Sequence, residues 1–395
     1  MPDSMRGAAA IVGIGELKPE RSRPNRDAMS LLAEAAYLAI QDAGLTKKDI
    51  DGMIVEGGMA NASGYNPAMA EYMGIFPTFA TGCDAQGAAG VTMALQAAAY
   101  VNAGLANYVL CGMSAAVDGS RRERPSAPPR TETSGSEFSV PFGPTVAANG
   151  WYAMIAKRYE ALYGTTVEKR AKIAVDFRTN ANNNPMAIWH DTPITVEDVV
   201  NSRIVADPLH LLECVMPCAG ACCFIVTRAD IAHGMRHKPA YILGGALGIL
   251  RSNLTHVGEI TISPVGKAAR KAFAMAGYGP NDMQVMEIYD SFTITVMCEL
   301  EESGFCLKGE AGDWVAEHDL TFKGDRPMNT HGGQLSYGQA STAGGCAQVT
   351  EAVRQIRRDA GEHQVPGPTD VVYVTGSGGS YSQQAAMVLS SDAAL

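Results

Sequence analysis

Residues 328–356 read MNTHGGQLSYGQASTAGGCAQVTEAVRQI. The stretch opens as a loop at Gly332 and Gly333, then passes Ser336, Tyr337, Gly338 and Gln339. A run of small residues, Ser341-Thr342-Ala343-Gly344-Gly345, leads from there into a helix. Glycines let backbone approach a ligand closely, and the free N–H groups of a helix start favour an anionic or carbonyl oxygen. Such a segment could hold an oxyanion or a thioester. A tight turn with close helix packing is the other reading of the same residues.

The elements that must position this loop follow from apolar patterning. Residues 8–15 (AAAIVGIG) predict a buried strand, and residues 27–44 an Ala- and Leu-rich amphipathic helix stopped by Gly44. A strand is expected over 49–57, a small-residue helix over 87–104 and a core strand at YVLCG, 108–112. From 118 to 144 the composition turns to Pro, Ser and Arg, which reads as loop. Arg121, Arg122, Arg124 and Arg130 within it could hold phosphates, although a solvated loop explains them more simply. Helices over 151–163, 168–180 and from 196 complete an insertion, and 219–227 returns to a buried strand.

The second half repeats the first. Ala36, Ala39, Ala43, Gly44, Asp49 and Met53 recur as Ala269, Ala272, Ala276, Gly277, Asp282 and Met286, each offset by 233 residues. The helix after Gly87 is answered by the helix after Thr342, and YVLCG by residues 371–379. The repeat implies two similar α/β halves, with two parallel-type sheets and helices between and outside them. The boundaries expected are 1–117 with 206–235 for the first half, 118–205 for the inserted loop domain, and 236–395 for the second half.

With 395 residues, 46% hydrophobic and 18% charged, the chain has the make-up of a globular enzyme. A net charge of −10 gives no reason to expect nucleic acid or an anionic membrane as partner. No signal peptide or membrane-spanning apolar run is evident, and the nine cysteines read as reduced thiols, so a cytoplasmic location is expected. Cys214, Cys218 and Cys222 are spaced four apart, but core packing is the preferred reading and no metal is expected.

This organisation resembles the thiolase superfamily, specifically the sterol-carrier-protein-type thiolases. The motifs carrying the resemblance are NTHGGQLSYGQASTAGG, GSGGS at 376–380 and EIYDSF at 287–292. The resemblance implies a five-layer αβαβα fold with a helical loop domain in the first half. It also implies an oxyanion or thioester-binding role for Gly87, Gly332, Gly333, Gly378 and Gly379. The family's reactive groups are absent: counting from the helix end puts Gly87 at the nucleophilic cysteine, Tyr289 and Gln339 replace its two histidines, and Val374 or Thr375 its second cysteine. Cys83, four residues upstream of Gly87, is the alternative nucleophile.

Tyr289 and Tyr337 are then expected as acid–base groups, with Asp290 and His331 as helpers, since a tyrosine of ordinary pKa about 10 needs assistance. Tyr337 ranks slightly ahead of Tyr289 as base, because it lies on the glycine loop. The superfamily members with such losses are aldolases that cleave side chains from steroid acyl-CoA thioesters. The resemblance therefore implies retro-aldol cleavage of a β-hydroxyacyl-CoA to a ketone and a short acyl-CoA such as propionyl-CoA. Coenzyme A would enter as part of the substrate, with no covalently bound cofactor. The implied assembly is a homodimer joined by a separate OB-fold and zinc-ribbon-like protein as a heterotetramer. An acyltransferase using Cys83 and a non-catalytic acyl-CoA-binding scaffold are the alternatives.

Overall fold

Apolar runs such as AAIVGIG, YVLCGMSA and GACCFIVT form strands buried on both faces. In the computed structural model, which describes residues 5–56, 64–117, 148–251, 254 and 258–394, nine strands make one mixed sheet. They are β1 (Ala9–Glu16), β2 (Gly52–Glu56), β3 (Phe79–Thr81), β4 (Tyr108–Ala115), β5 (Gly220–Arg228), β6 (Ala240–Ile249), β7 (Val285–Glu287), β8 (Val371–Gly378) and β9 (Gln383–Ser390). Their spatial order is β3-β2-β4-β5-β1-β6-β9-β8-β7.

Reading outward from the antiparallel β1–β6 junction, where Ala10 faces Tyr241, both halves have the same pattern. The inner pairs β1–β5, β5–β4, β6–β9 and β9–β8 are antiparallel, and the outer pairs β4–β2 and β8–β7 are parallel. The expectation of two parallel-type sheets is corrected accordingly. In each half one strand, β5 or β9, returns from the opposite end. β5 comes out of the inserted segment, and β9 follows β8 through the tight turn that includes Gly379, Ser380 and Tyr381. The internal repeat is realised in this pattern: β2 and β7 begin 233 residues apart, each preceded by a helix that ends at a left-handed glycine, Gly44 or Gly277.

Seven helices matter for the site: α1 (Ala28–Asp42), α2 (Ala89–Asn102), α3 (Ala148–Tyr163), α4 (Val167–Asn182), α5 (Val265–Ala276), α6 (Thr293–Ser303) and α7 (Gly344–Arg357). α1 covers β1, β4 and β5, and α5 covers β6 and β9 on the outside. α2 and α7 touch each other and strands of both halves, so they form the middle of five layers. Their starts meet backbone to backbone. A Cβ on Gly90 would lie 2.4 Å from the Gly345 carbonyl oxygen, and one on Gly345 would lie 2.1 Å from that of Gly87. Larger residues at these places would drive the two helices apart.

The inserted helices buttress the glycine loop. Asn180 on α4 donates to the carbonyls of Met328 (2.9 Å) and Asn329 (3.1 Å) and accepts from the Phe322 N–H. Asn184 donates to the His331 carbonyl, and the Arg178 Nε donates to Ser336 Oγ at 2.9 Å. Beyond α4 the chain forms a small hairpin, Ile204–Ala206 with Leu209–His210, before rejoining the sheet at Gly220. Arg121, Arg122, Arg124 and Arg130 lie outside the described residues. Among the described residues no helix is long and apolar enough to cross a membrane.

Candidate active site

Tyr289 leaves the end of β7 and is buried where the starts of α2 and α7 meet. A Cβ on Gly87 would sit 2.1 Å from the Tyr289 hydroxyl oxygen and 2.3 Å from the Ser377 carbonyl oxygen. A Cβ on Gly345 would stand 3.6 Å from Cε2 of the same ring. The positive ends of two 14-residue helices therefore converge on this phenol. Ala85, Gln86 and Ala88 line the other side, against Gly376, Gly378 and Gly379; a Cβ on Gly378 would meet the Ala85 carbonyl oxygen at 2.4 Å.

Three relays fix Tyr289. Its hydroxyl accepts from Gln339 Nε2 at 3.3 Å, and the same Nε2 donates to Gln334 Oε1 at 2.9 Å. Its backbone N–H donates to Thr375 Oγ1 at 2.8 Å. The adjacent Asp290 carboxyl accepts from the backbone N–H groups of Gln334 (2.8 Å) and Leu335 (3.1 Å), tying the glycine loop to the end of β7. A Cβ on Gly333 would strike Asp290 Oδ2 at 2.1 Å, so this loop position needs glycine both for space and for its φ of +60°. A further phenol comes from the insertion. Tyr152 on α3 stacks on Phe292 at 4.4 Å, and its hydroxyl faces Ser291 and Ser377.

Electrostatics decide what these groups can do. Burial raises the Tyr289 pKa well above its ordinary value, with the Tyr152 and Asp290 charges adding to the effect. The phenol is therefore a neutral hydrogen-bond donor at neutral pH. Because Gln339 donates into its oxygen, the phenolic proton is left to point at a bound group. Burial pushes Asp290 up to about 7 despite the two backbone N–H donors. Its oxygens are occupied by the loop, which makes it a positioning group.

The structure does not bring Tyr337 and His331 to this place. Tyr337 packs with Ala181, Ala187 and Ala347, and its ring lies 4.9 Å from that of His331. Its hydroxyl is buried facing the Glu16 carboxylate, and burial together with that carboxylate holds its pKa far up. His331 sits 3.2 Å from the Glu287 carboxylate, both fully enclosed, although the approach is not aligned as a hydrogen bond. Burial works to lower the His331 pKa, and Glu287 with Glu351 more than offsets it, so the imidazolium is favoured. Tyr337 therefore does not stand beside Tyr289, and both phenols are held in the protonated form by burial. The turn from Gly332 to Tyr337 keeps the Tyr337 ring with that of His331, against Ala181 and Ala347, and apart from Tyr289.

Cys83 does not fit a nucleophile either. It is buried, and burial, Glu56 and Asp84 raise its thiol to about 12, whereas a reactive cysteine needs an electropositive setting. Sequence reasoning missed Gln334 and Tyr152, which carry no local signal, and marked Thr375 only as one of two candidates for a lost cysteine position. Among the described residues no group of three or more His, Cys, Asp or Glu is placed to hold a metal.

Comparison with known proteins identifies the family. Residues 248–391 match the family described as thiolase C-terminal domain-like. A steroid side-chain-cleaving aldolase of Thermomonospora curvata is 34% identical, with 98% of each chain covered. The chain belongs to the thiolase superfamily. A 17-hydroxy-3-oxo-4-pregnene-20-carboxyl-CoA lyase of Mycobacterium tuberculosis is 34% identical, covering 95% of this chain and 97% of the relative. An acetyl-CoA acetyltransferase of Methanothermobacter thermautotrophicus is 33% identical, covering 85% and 88%. The solved structure of an Ltp2-ChsH2(DUF35) aldolase superposes with a TM-score of 0.87 at 33% identity, covering 98% of this chain and 99% of that one. Thiolase-superfamily membership and the five-layer fold are thereby established for this chain.

Proposed function

We propose that this protein is a carbon–carbon lyase that cleaves a β-hydroxyacyl-CoA thioester by retro-aldol chemistry. The observation that carries the reading is the Tyr289 phenol seated in the space of the missing nucleophile, between two helix starts. In a retro-aldol cleavage the β-hydroxyl gives its proton to a general base or to water, the Cα–Cβ bond breaks, and the enolate carbon afterwards takes up a proton to give the acyl-CoA. A ketone leaves, and the electron pair passes to the thioester as an enolate. That enolate oxygen is what a neutral phenol, aligned by Gln339 and backed by two helix dipoles, can stabilise. No covalent acyl-enzyme is required. The aldolase and lyase relatives favour a steroid side-chain thioester as substrate, with a short acyl-CoA such as propionyl-CoA as product. Coenzyme A is then part of the substrate and no other cofactor is needed.

The acyltransferase alternative lacks support at Cys83, whose thiol stays protonated. The assembly reading is a homodimer carrying a separate OB-fold partner, supported by the two components, Ltp2 and ChsH2(DUF35), of the similar aldolase structure. The short edge strand β3 supports the homodimer: its open side adjoins an apolar depression lined by Thr78, Phe79, Tyr100 and Leu105, and Phe76 nearby is 87% exposed. We read residues 1–117 with 206–235 and 236–395 as the two halves and 118–205 as the insertion. The test is an assay of the chain, alone and co-expressed with an OB-fold partner, against a panel of β-hydroxyacyl-CoA thioesters. Ketone release with no covalent acyl adduct supports the lyase. An acyl adduct by intact mass supports the acyltransferase, and binding without turnover supports a scaffold.

A further inference from the structure

Glu299 lies in the middle of α6 with no exposed surface, and it forms no ion pair among the described residues. Its Oε2 accepts from Thr375 Oγ1 at 2.5 Å, and the same Thr375 oxygen accepts the backbone N–H of Tyr289 at 2.8 Å. Its Oε1 accepts from Gln384 Nε2 at 2.6 Å, and that amide also donates to Ser377 Oγ at 3.0 Å. Gln384 cannot turn round, because its Oε1 accepts from the Val265 N–H at 3.1 Å and from Ser263 Oγ. Tyr289 and the Ser377 carbonyl are the two groups that pinch Gly87. One carboxyl therefore ties together both walls of the site.

We propose that Glu299 is a positioning residue for Tyr289, its carboxylate form clamping the Tyr289 backbone through Thr375 and the Ser377 strand through Gln384. The proposal rests on the reading of Tyr289 as a reacting group. The ionised form makes this network strongest, because Thr375 then gives its one proton to Oε2 while accepting from Tyr289, and Gln384 gives an N–H to Oε1, both as charge-assisted bonds. In a protonated Glu299 the carboxyl O–H would turn to the second lone pair of Thr375 Oγ1, reversing that bond and weakening the hold on Tyr289. Burial opposes ionisation, and so does Asp290, while the hydrogen bonds from Thr375 and Gln384 favour it. The facing phenols Tyr152, Tyr289, Tyr373 and Tyr381 are all held neutral by burial. The cation of this region, Arg251, is turned to the carbonyls of Ile260 and Ile262 and to the Tyr381 ring. These opposed effects bring Glu299 to about 8, so the clamp tightens as pH rises through that value.

The test is fluorine NMR of the full chain with fluorotyrosine at position 289, followed from about pH 6 to about pH 10. The resonance is expected to step near pH 8 in the otherwise unaltered chain. The step should vanish in Glu299→Gln, and in Thr375→Val, which cuts the relay while keeping the carboxyl. Lyase turnover of Glu299→Gln should fall by about tenfold or more with KM within about threefold, as a displaced reacting group requires. A step that persists in Glu299→Gln overturns the proposal. If Glu299→Gln does not fold, persistence in Thr375→Val overturns it instead. A resonance that follows Glu299 in a chain with no lyase activity supports the clamp and sinks the retro-aldol reading. Lyase activity with a resonance blind to Glu299 does the reverse.

Discussion

The hydroxyl of Tyr289 occupies the place where a side chain on Gly87 would begin, 2.1 Å from the position of its Cβ. Carbon and oxygen atoms not bonded to each other cannot share that space, so the tyrosine and a nucleophile at position 87 exclude one another. The Ser377 carbonyl closes the other side at 2.3 Å and belongs to a core strand, which cannot swing away.

Gly87→Ala is therefore expected to lower stability by about 1–3 kcal/mol, the usual cost of overpacking. Displacing the phenol should also cost turnover by about a hundredfold. Thermal unfolding together with an assay reads both. An alanine variant with wild-type melting and turnover would show that the pocket is open.

The two tyrosines should separate cleanly. Tyr289→Phe removes the donor and should cut turnover by about 10²–10⁴-fold while costing no more than about 1–2 kcal/mol of stability. Tyr337→Phe removes a hydroxyl that lies away from Tyr289 and faces Glu16, so turnover should stay within about threefold while stability falls by no more than about 1–2 kcal/mol. Equal losses in both variants would restore a shared role for Tyr337.

Cys83 should prove inert. With its thiol raised to about 12, Cys83→Ala is expected to keep turnover within about threefold, and alkylation of the native chain at neutral pH should spare this position. A loss of about a hundredfold in Cys83→Ala with the fold intact would revive the acyltransferase.

Stability should fall as pH rises from about 5 to about 8.5. Asp290 at about 7, and Glu299 and Glu56 at about 8, keep protons in the folded state that the unfolded chain releases above about pH 4. The folded state then binds more protons across that window, and its advantage is lost as pH passes the folded values. His331, raised by Glu287, acts in the same direction above about pH 6.5, whereas the lowered Glu351 acts only below about pH 4.5. Melting temperature measured across this range should decline, and Glu56→Gln should flatten part of the decline. A melting temperature that climbs from pH 5 to 8 would contradict the assignment of these carboxyls as protonated.

The sequence by itself determined the two-half plan. The 233-residue offset, the small-residue helices and the glycine loops are local patterns, and motif spacing was enough to single out Gly87, Tyr289 and Gln339, which the fold brings together. Only the tertiary structure decided which groups meet. Tyr337 and Gln339 are two residues apart, yet Gln339 reaches the Tyr289 hydroxyl while Tyr337 turns toward Glu16, because the turn beginning at Gly332 and the break at Gly338 (φ +134°) set their directions. Glu299 and Thr375 are 76 residues apart and become partners only when α6 packs against β8. Their protonation is likewise a product of packing. A carboxyl or phenol has its ordinary pKa in the unfolded chain, and burial, together with the charges and hydrogen bonds that folding brings near, moves it to where a neutral Tyr289 and a titrating Glu299 can work together.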